Sequence, residues 1–280
     1  TDEALEGPMW VGSFMALQGP VDKTLIASKL KSLQFKEAEY KGIPYYWLYE
    51  EPQARLDNPL RINAIYLNRT AFVDEGLLTA PTSPDIEALI DARQGAVATL
   101  ADSKPHTSIA DDLGDGLLGG AFITQDYIIK HGRNSDSAYA ARLDRYLEGE
   151  NKWGKLSPYG LGLLGYSLAG QDEEIVVAFY YPDASAAAKD AKELERRWNT
   201  FYYDPTGANQ AELKAVDSCG SFTTKAVTVE GGSVLVGSCK AAPKASGVPG
   251  GVLWQGLLEM GELHFMAPDV EELKRVVGRK

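Results

Sequence analysis

Ser167 and His264 are the first residues to weigh for chemistry. Gly165-Tyr-Ser167-Leu-Ala-Gly170 comes within one residue of the GxSxG nucleophile elbow, and a histidine follows late in the chain. An elbow serine stands where a strand turns sharply into a helix. Here Gln171-Asp-Glu-Glu174 and a strand-like run follow, so the context favours a serine in a strand-end turn. A hydrolase using Ser167 and His264 is kept as the alternative. Two phrases, Gly114-Asp-Gly116-Leu-Leu-Gly119 and Gly160-Leu-Gly162-Leu-Leu-Gly165, match GxGxxG. A dinucleotide fingerprint must open a helix, so that the pyrophosphate meets helix-terminal amides. Both phrases precede strand-like runs, and no nucleotide cofactor is expected.

The three histidines, His106, His131 and His264, have no carboxylate or cysteine at ligand spacing. Asp111, Asp112 and Asp115 lack the DxDxDG order of a calcium loop and read as a solvated acidic loop. No metal is expected. The aromatic runs stand out more: Tyr45-Tyr-Trp47-Leu-Tyr49, Phe179-Tyr-Tyr181 and Phe201-Tyr-Tyr203. In a strand, Tyr45, Trp47 and Tyr49 share one face and Tyr46 and Leu48 the other. Either the helix over Val21 to Leu33 covers the three rings, which is the favoured expectation, or they form a surface suited to sugars, peptides or a protein partner.

The elements that must carry these residues follow from periodicity. Apolar residues at helical spacing predict helices over Val21 to Leu33, from Asp85, over Ala184 to Thr200 and from Asp269. Arg196 and Arg197 fall in the last turns of the third, where cations suit the helix dipole. Strands are predicted around Met9 to Leu17, Tyr45 to Tyr49, Ile62 to Leu67, Ile175 to Tyr181 and Val252 to Phe265. The glycine phrases echo each other, and Leu77 to Ile90 echoes Leu263 to Val277, which points to duplication. The expected fold is α+β: two related halves, each an antiparallel sheet with helices on one face, of ferredoxin-like or split β-α-β character. The expected boundaries are residues 9–135 for the first repeat, 136–156 for a helical connector and 157–280 for the second repeat.

With 280 residues and 44% hydrophobic content the chain suits one large domain or two smaller ones. A net charge of −11 opposes phosphate backbones, so no nucleic-acid partner is expected. The longest apolar stretches fall short of the roughly 18–20 residues of a spanning helix. Cys219 and Cys239 flank a predicted hairpin with a turn at Glu230-Gly-Gly-Ser233, whose open end brings them within disulfide reach. Both lie in polar Ser-Cys contexts, and a bridge favours an oxidising, extracytoplasmic location. Thr1 and the acidic residues after it have no targeting character, which leaves an arbitrary boundary or a removed signal peptide and linker. Asn68-Arg69-Thr70 is a glycosylation sequon in a predicted surface turn and has no meaning in a bacterial protein.

On the strand and helix around Val11 to Leu33, the helices following Ala80-Pro81 and Ala267-Pro268, and the glycine phrases, the chain resembles the exported domains of uncharacterised bacterial lipoprotein-type proteins with duplicated α+β repeats. The resemblance implies an extracytoplasmic, periplasmic or cell-surface location, with membrane attachment only through a removed N-terminal lipid anchor. It carries over no functional residue. The expected role is non-enzymatic binding of a small ligand or protein partner, with a structural or assembly subunit as a further alternative.

Overall fold

Tyr45-Tyr46-Trp47-Leu48 puts bulky side chains on both sides of one strand, so each side needs a cover. The computed structural model describes residues 15–18, 21–50, 58–60, 63–73, 76–114, 117–131, 141, 143–150, 152–169, 172–204, 212–241, 250–259 and 261–277. The chain divides into two units, residues 1–102 and 103–280. The first contains β1 (Met15–Gln18), α1 (Lys23–Ser32), β2 (Lys36–Tyr40), β3 (Ile43–Trp47), α2 (Asn63–Tyr66), β4 (Arg69–Val73), β5 (Gly76–Ala80) and α3 (Ser83–Arg93). Strands β2 to β5 form an antiparallel meander, and β1 adds to β5, giving the order β1-β5-β4-β3-β2. Lys41 and Gly42, with φ of 49° and 82°, make the β2–β3 turn, whose left-handed residues match the twist of a tight hairpin.

Helices cover both faces of this sheet, not one. Tyr46 and Leu48 pack with Leu30 and Phe35 on the side of α1. Tyr45 packs with Ala71, Leu78 and Ala80, and with Ile86 and Ile90 of α3. The expected cover by α1 is thus on the opposite face, because the buried positions of α1 meet Tyr46 and not Tyr45. Asp22 caps α1 by accepting the Leu25 N–H at 2.8 Å. Thr82 caps α3, three residues ahead of the expected Asp85, whose N–H it accepts at 3.3 Å. Residues 62–67, expected as a strand, contain α2 instead.

The second unit runs α4 (Lys104–Leu113), β6 (Leu117–Ile123), α5 (Gln125–His131), β7 (Leu161–Ala169), β8 (Asp172–Tyr181), α6 (Ala186–Thr200), β9 (Tyr202–Tyr203), β10 (Leu213–Lys214), α7 (Ala215–Cys219), β11 (Thr223–Val229), β12 (Gly232–Lys240), α8 (Gly250–Glu259), a 3-10 turn at His264–Met266, and α9 (Val270–Val277). Its antiparallel sheet has the order β11-β12-β8-β7-β6. On one face, Phe179, Tyr181 and Leu235 meet Leu194 and Trp198 of α6 and Leu253 and Leu257 of α8. On the other, Leu163, Ala178 and Val234 meet Ile109 of α4. The apolar spacing of Leu253 and Leu257, four residues apart, makes a helix where a strand over Val252 to Phe265 was expected.

The two glycine phrases are neighbours in this one sheet. Gly120 lies opposite Gly165 and Ile123 opposite Gly162. A Cβ at Gly165 would come within 2.7 Å of the Leu117 side chain, and one at Gly119 within 3.3 Å of the Trp254 ring. The repetition therefore serves close packing of adjacent strands, and Leu117–Ile123 belongs to the second sheet although the sequence placed it in the repeat 9–135. What the units do share is a split crossover. β1-α1-β2 joins parallel strands with three others between them, and β8-α6-β11 joins parallel strands with one between. Part of the expected connector, residues 136–140, 142 and 151, lies outside the described residues, as do Asp115, Gly116, residues 51–57 and residues 1–14. Leu143, Tyr146 and Trp153 from the described part join the second unit's core.

Cys219, at the end of α7, and Cys239, on β12, form a disulfide with a Cα–Cα distance of 5.5 Å. Both are buried among the apolar core residues, despite their polar neighbours in sequence. The bridge closes a loop with a sequence separation of 20 residues, for which restriction of the unfolded chain stabilises the fold by about 3 kcal/mol. Reduction, or the paired substitution Cys219→Ala and Cys239→Ala, is expected to lower the denaturant midpoint by that amount. An unchanged midpoint under reductant would show that the bridge does not constrain the unfolded chain.

Candidate functional site

Tyr49 lies two residues beyond β3, and two buried residues at the start of β4, Asn68 and Arg69, fix its backbone. Asn68 accepts the Tyr49 N–H at 2.8 Å through its side-chain oxygen. Its amide nitrogen donates to the carbonyls of Tyr49 at 3.1 Å and Pro81 at 2.7 Å. Arg69 donates to the carbonyls of Tyr49 at 2.6 Å and Glu50 at 3.1 Å, and through Nε to the Ser83 hydroxyl at 3.0 Å. Asn68 and Arg69 are only 0% and 2% exposed. The sequon is therefore an internal clamp and not a surface turn, and a glycan on Asn68 would break it. Nothing in a window of neighbours signals this, because the partners are 13 to 20 residues away.

The clamp holds Tyr49 at the rim of an open pocket of about 470 Å³, lined by Ser32, Leu33, Gln34, Lys36, Leu48, Tyr49, Asn58 and Pro59. The Asn58 amide donates to the Tyr49 hydroxyl at 2.9 Å. Gln34 enters this wall because α1 ends in a Schellman turn, with Phe35 N–H bonding Leu30 O at 3.1 Å and Gln34 N–H bonding Lys31 O at 2.9 Å. The turn places Gln34 at φ 68°, a conformation that glycine adopts without strain. Lys36 sits beside Trp47, its ammonium 4.2 Å from the ring centroid, and Arg69 lies on the other strand neighbour with its guanidinium carbon at 5.4 Å.

The structure thus separates the three rings of the sequence argument. Tyr45 is buried under α3, and Trp47 is half-buried between Lys36 and Arg69 in the strand register. Tyr49 packs at the edge of the α1 side, so it shares neither the face nor the cover of the other two. The chain leaves its regular pleat after Trp47, and face assignment by alternation ends there.

Ser167 and His264 are held in different surroundings. Ser167 lies within β7, opposite Leu117 and Glu174, with no helix after it. His264 is fully buried in the 3-10 turn, enclosed by the rings of Tyr146 at 5.4 Å, Trp153 at 5.9 Å and Phe201 at 4.9 Å. Its Nδ1 lies 3.6 Å from the fully buried carboxylate of Glu262. The expected alternation of His264 in a sheet is replaced by this aromatic enclosure. His106 bonds the Ser103 hydroxyl at 2.7 Å and packs on Phe122, and burial moves its pKa down. Asp112 accepts the Lys225 ammonium at 2.9 Å. Among the described residues, no group of three histidines, cysteines or carboxylates has metal-holding geometry. Among the same residues, no helix is long and apolar enough to cross a membrane.

These features define an α+β chain with a disulfide and a pocket at the end of an aromatic strand. No family model matches the chain, and neither a curated protein nor a solved structure does.

Proposed function

We propose that the chain is an exported binding protein whose first unit takes a small ligand at Tyr49. The observation carrying this reading is that two fully buried polar side chains, Asn68 and Arg69, hold the backbone of an aromatic residue at the mouth of an open, mixed polar and apolar pocket. The contrasting polar pair, Glu262 and His264, is closed to solvent within the second unit. The disulfide fits an oxidising compartment and supports an extracytoplasmic location. Attachment to a cell envelope through an N-terminal lipid anchor rests on the resemblance to lipoprotein-type proteins.

The test is a thermal-denaturation screen of the oxidised protein against sugars, peptides, divalent cations and nucleotides. A ligand that binds only the folded state at a hundredfold its Kd adds about 2.7 kcal/mol of stability. One class is expected to raise the midpoint in a concentration-dependent way, and Tyr49→Ala is expected to abolish that rise. A flat panel would overturn the small-ligand reading and favour a structural or assembly role.

A further inference from the structure

We propose that a second copy of this chain adds to the outer edge of β11, joining two second-unit sheets through an antiparallel β11 pair centred on Val227. β11 ends the order β11-β12-β8-β7-β6 and has a strand neighbour on one side only. Val229 and Gly232 flank the two-residue turn at Glu230-Gly231, so the odd-numbered residues of β11 exchange main-chain bonds with β12. The N–H and C=O groups of Thr224, Ala226 and Thr228 therefore point outward. Thr224 fixes this phase: its N–H donates to the Glu195 carboxylate of α6 at 3.2 Å, and its hydroxyl to the same oxygen at 2.7 Å. Among the described residues nothing bonds the outward groups of Ala226 and Thr228, and both residues are exposed.

An unpaired strand edge is a template for another strand, and the other outer strands carry devices against it. β1 is only four residues long. β2 bears the exposed charges of Lys36, Glu37 and Glu39. β6 shifts register between Leu117 and Gly119. β11 has none of these features: its register runs unbroken from Thr223 to Val229, without proline, and most of its residues are β-branched. Its lysine, Lys225, leans to Asp112 of α4 at 2.9 Å.

This edge is complementary to itself. A two-fold axis at Val227 sets Ala226 of each copy against Thr228 of the other, and these residues exchange N–H···O=C bonds on both sides of the axis. Val227 meets the second copy's Val227, a β-branched cross-strand pair. Lys225 comes opposite the second copy's Val229 and next to its Glu230. Both charged side chains lean to the side of α4, where Lys225 pairs with Asp112 and Glu230 with Lys104. Opposite charges thus adjoin across the strand pair, and no like charges face each other in it.

Sedimentation velocity of the oxidised full chain over a roughly hundredfold range of protein concentration tests the pairing. A dimer that grows with concentration is expected. Ala226→Pro is expected to weaken it by about tenfold or more while native circular dichroism is kept, because the lost N–H points away from β12. Val227→Cys tests the register: opposed Cα atoms of a non-hydrogen-bonded pair lie about 4.5 Å apart, within disulfide reach, so mild oxidation should give a covalent dimer. Thr223→Cys, on the same strand face but far from the axis, should stay uncrosslinked. A monomer at every concentration overturns the proposal and leaves the edge to a strand of another protein. A dimer indifferent to Ala226→Pro, or equal crosslinking of the Val227→Cys and Thr223→Cys variants, overturns it as well.

Discussion

Replacing Arg197 with methionine is expected to destabilise the second unit by about 3–5 kcal/mol, the range for removing a partner from a buried charged network. Arg197 is fully buried. It donates to the carbonyls of Phe265 at 3.1 Å and Ala267 at 2.6 Å, to that of Gly154, and through Nε to the Glu193 carboxylate at 3.0 Å. Burial lowers the pKa of the guanidinium, and Glu193 beside it pushes the other way. Methionine fills similar volume but leaves those carbonyls in the core without this donor, at about 1–3 kcal/mol for each buried group left unsatisfied. Arg196 is the internal control, since it meets the same Glu193 carboxylate at 2.8 Å while about a third of its side chain is exposed. Arg196→Met is expected to shift the denaturant midpoint by under about 1 kcal/mol. Equal shifts for the two variants would refute the assignment of Arg197 as the tie between α6 and the C-terminal segment.

Alkaline unfolding is the second large expected effect. Burial raises the pKa of Tyr146, Tyr159 and Tyr181 well above the ordinary tyrosine value, with the Asp190 carboxylate adding to the shift of Tyr181. The Tyr146 ring stacks on Trp153 with centroids 3.9 Å apart, and the Tyr159 hydroxyl donates to the Met266 carbonyl at 3.1 Å. The folded state therefore binds these protons more tightly than the unfolded chain, whose tyrosines ionise near pH 10. Their stabilising contribution is complete below about pH 10 and is lost as pH rises toward the folded values. Each tyrosine removes about 1.4 kcal/mol per pH unit in that window, so the three together remove about 4. Against a typical total of about 5–15 kcal/mol, the second unit should unfold within a few pH units. Tyrosinate absorbance and circular dichroism followed together are expected to change in one step, less steeply in Tyr181→Phe. Ionisation of all tyrosines near pH 10 with native circular dichroism would contradict the burial argument.

The elements read most accurately from the sequence are those whose signal is local. The helix expected over Ala184 to Thr200 is Ala186–Thr200, and the strand expected over Ile175 to Tyr181 is Asp172–Tyr181. The hairpin at Thr223 to Lys240 was legible from its Glu230-Gly231 turn, and with it the cysteine pair. Asp269 caps α9 as expected, accepting the Glu271 N–H at 2.9 Å. The structure adds most where a residue's partner is remote. Arg197 lies in the last turn of α6, as the sequence predicts, and its carbonyl partners at Phe265 and Ala267, about 70 residues away, have no sequence signal. Asn68 was assigned to a surface turn, although Pro81 and Tyr49 enclose its amide.

The candidate site divides in the same way. The aromatic strand that marks it was visible as a run of rings, and its residue Tyr49 does reach the pocket. The clamp carried no signal in composition or periodicity, since it acts through bonds made only after β3 and the start of β4 have come together.

The sequence by itself determined the class of fold, the helices with one apolar stripe, the strongest strands and the disulfide partners, because periodicity, turn chemistry and short loops act over a few residues. Only the tertiary structure decided which strands are neighbours, which face each helix covers and which polar side chains are internal. The paired glycine phrases illustrate the reason: Gly120 and Gly165 were equally compatible with two repeats or one sheet, and the choice was made by the packing of Leu117 and Leu163 against the space their missing side chains leave.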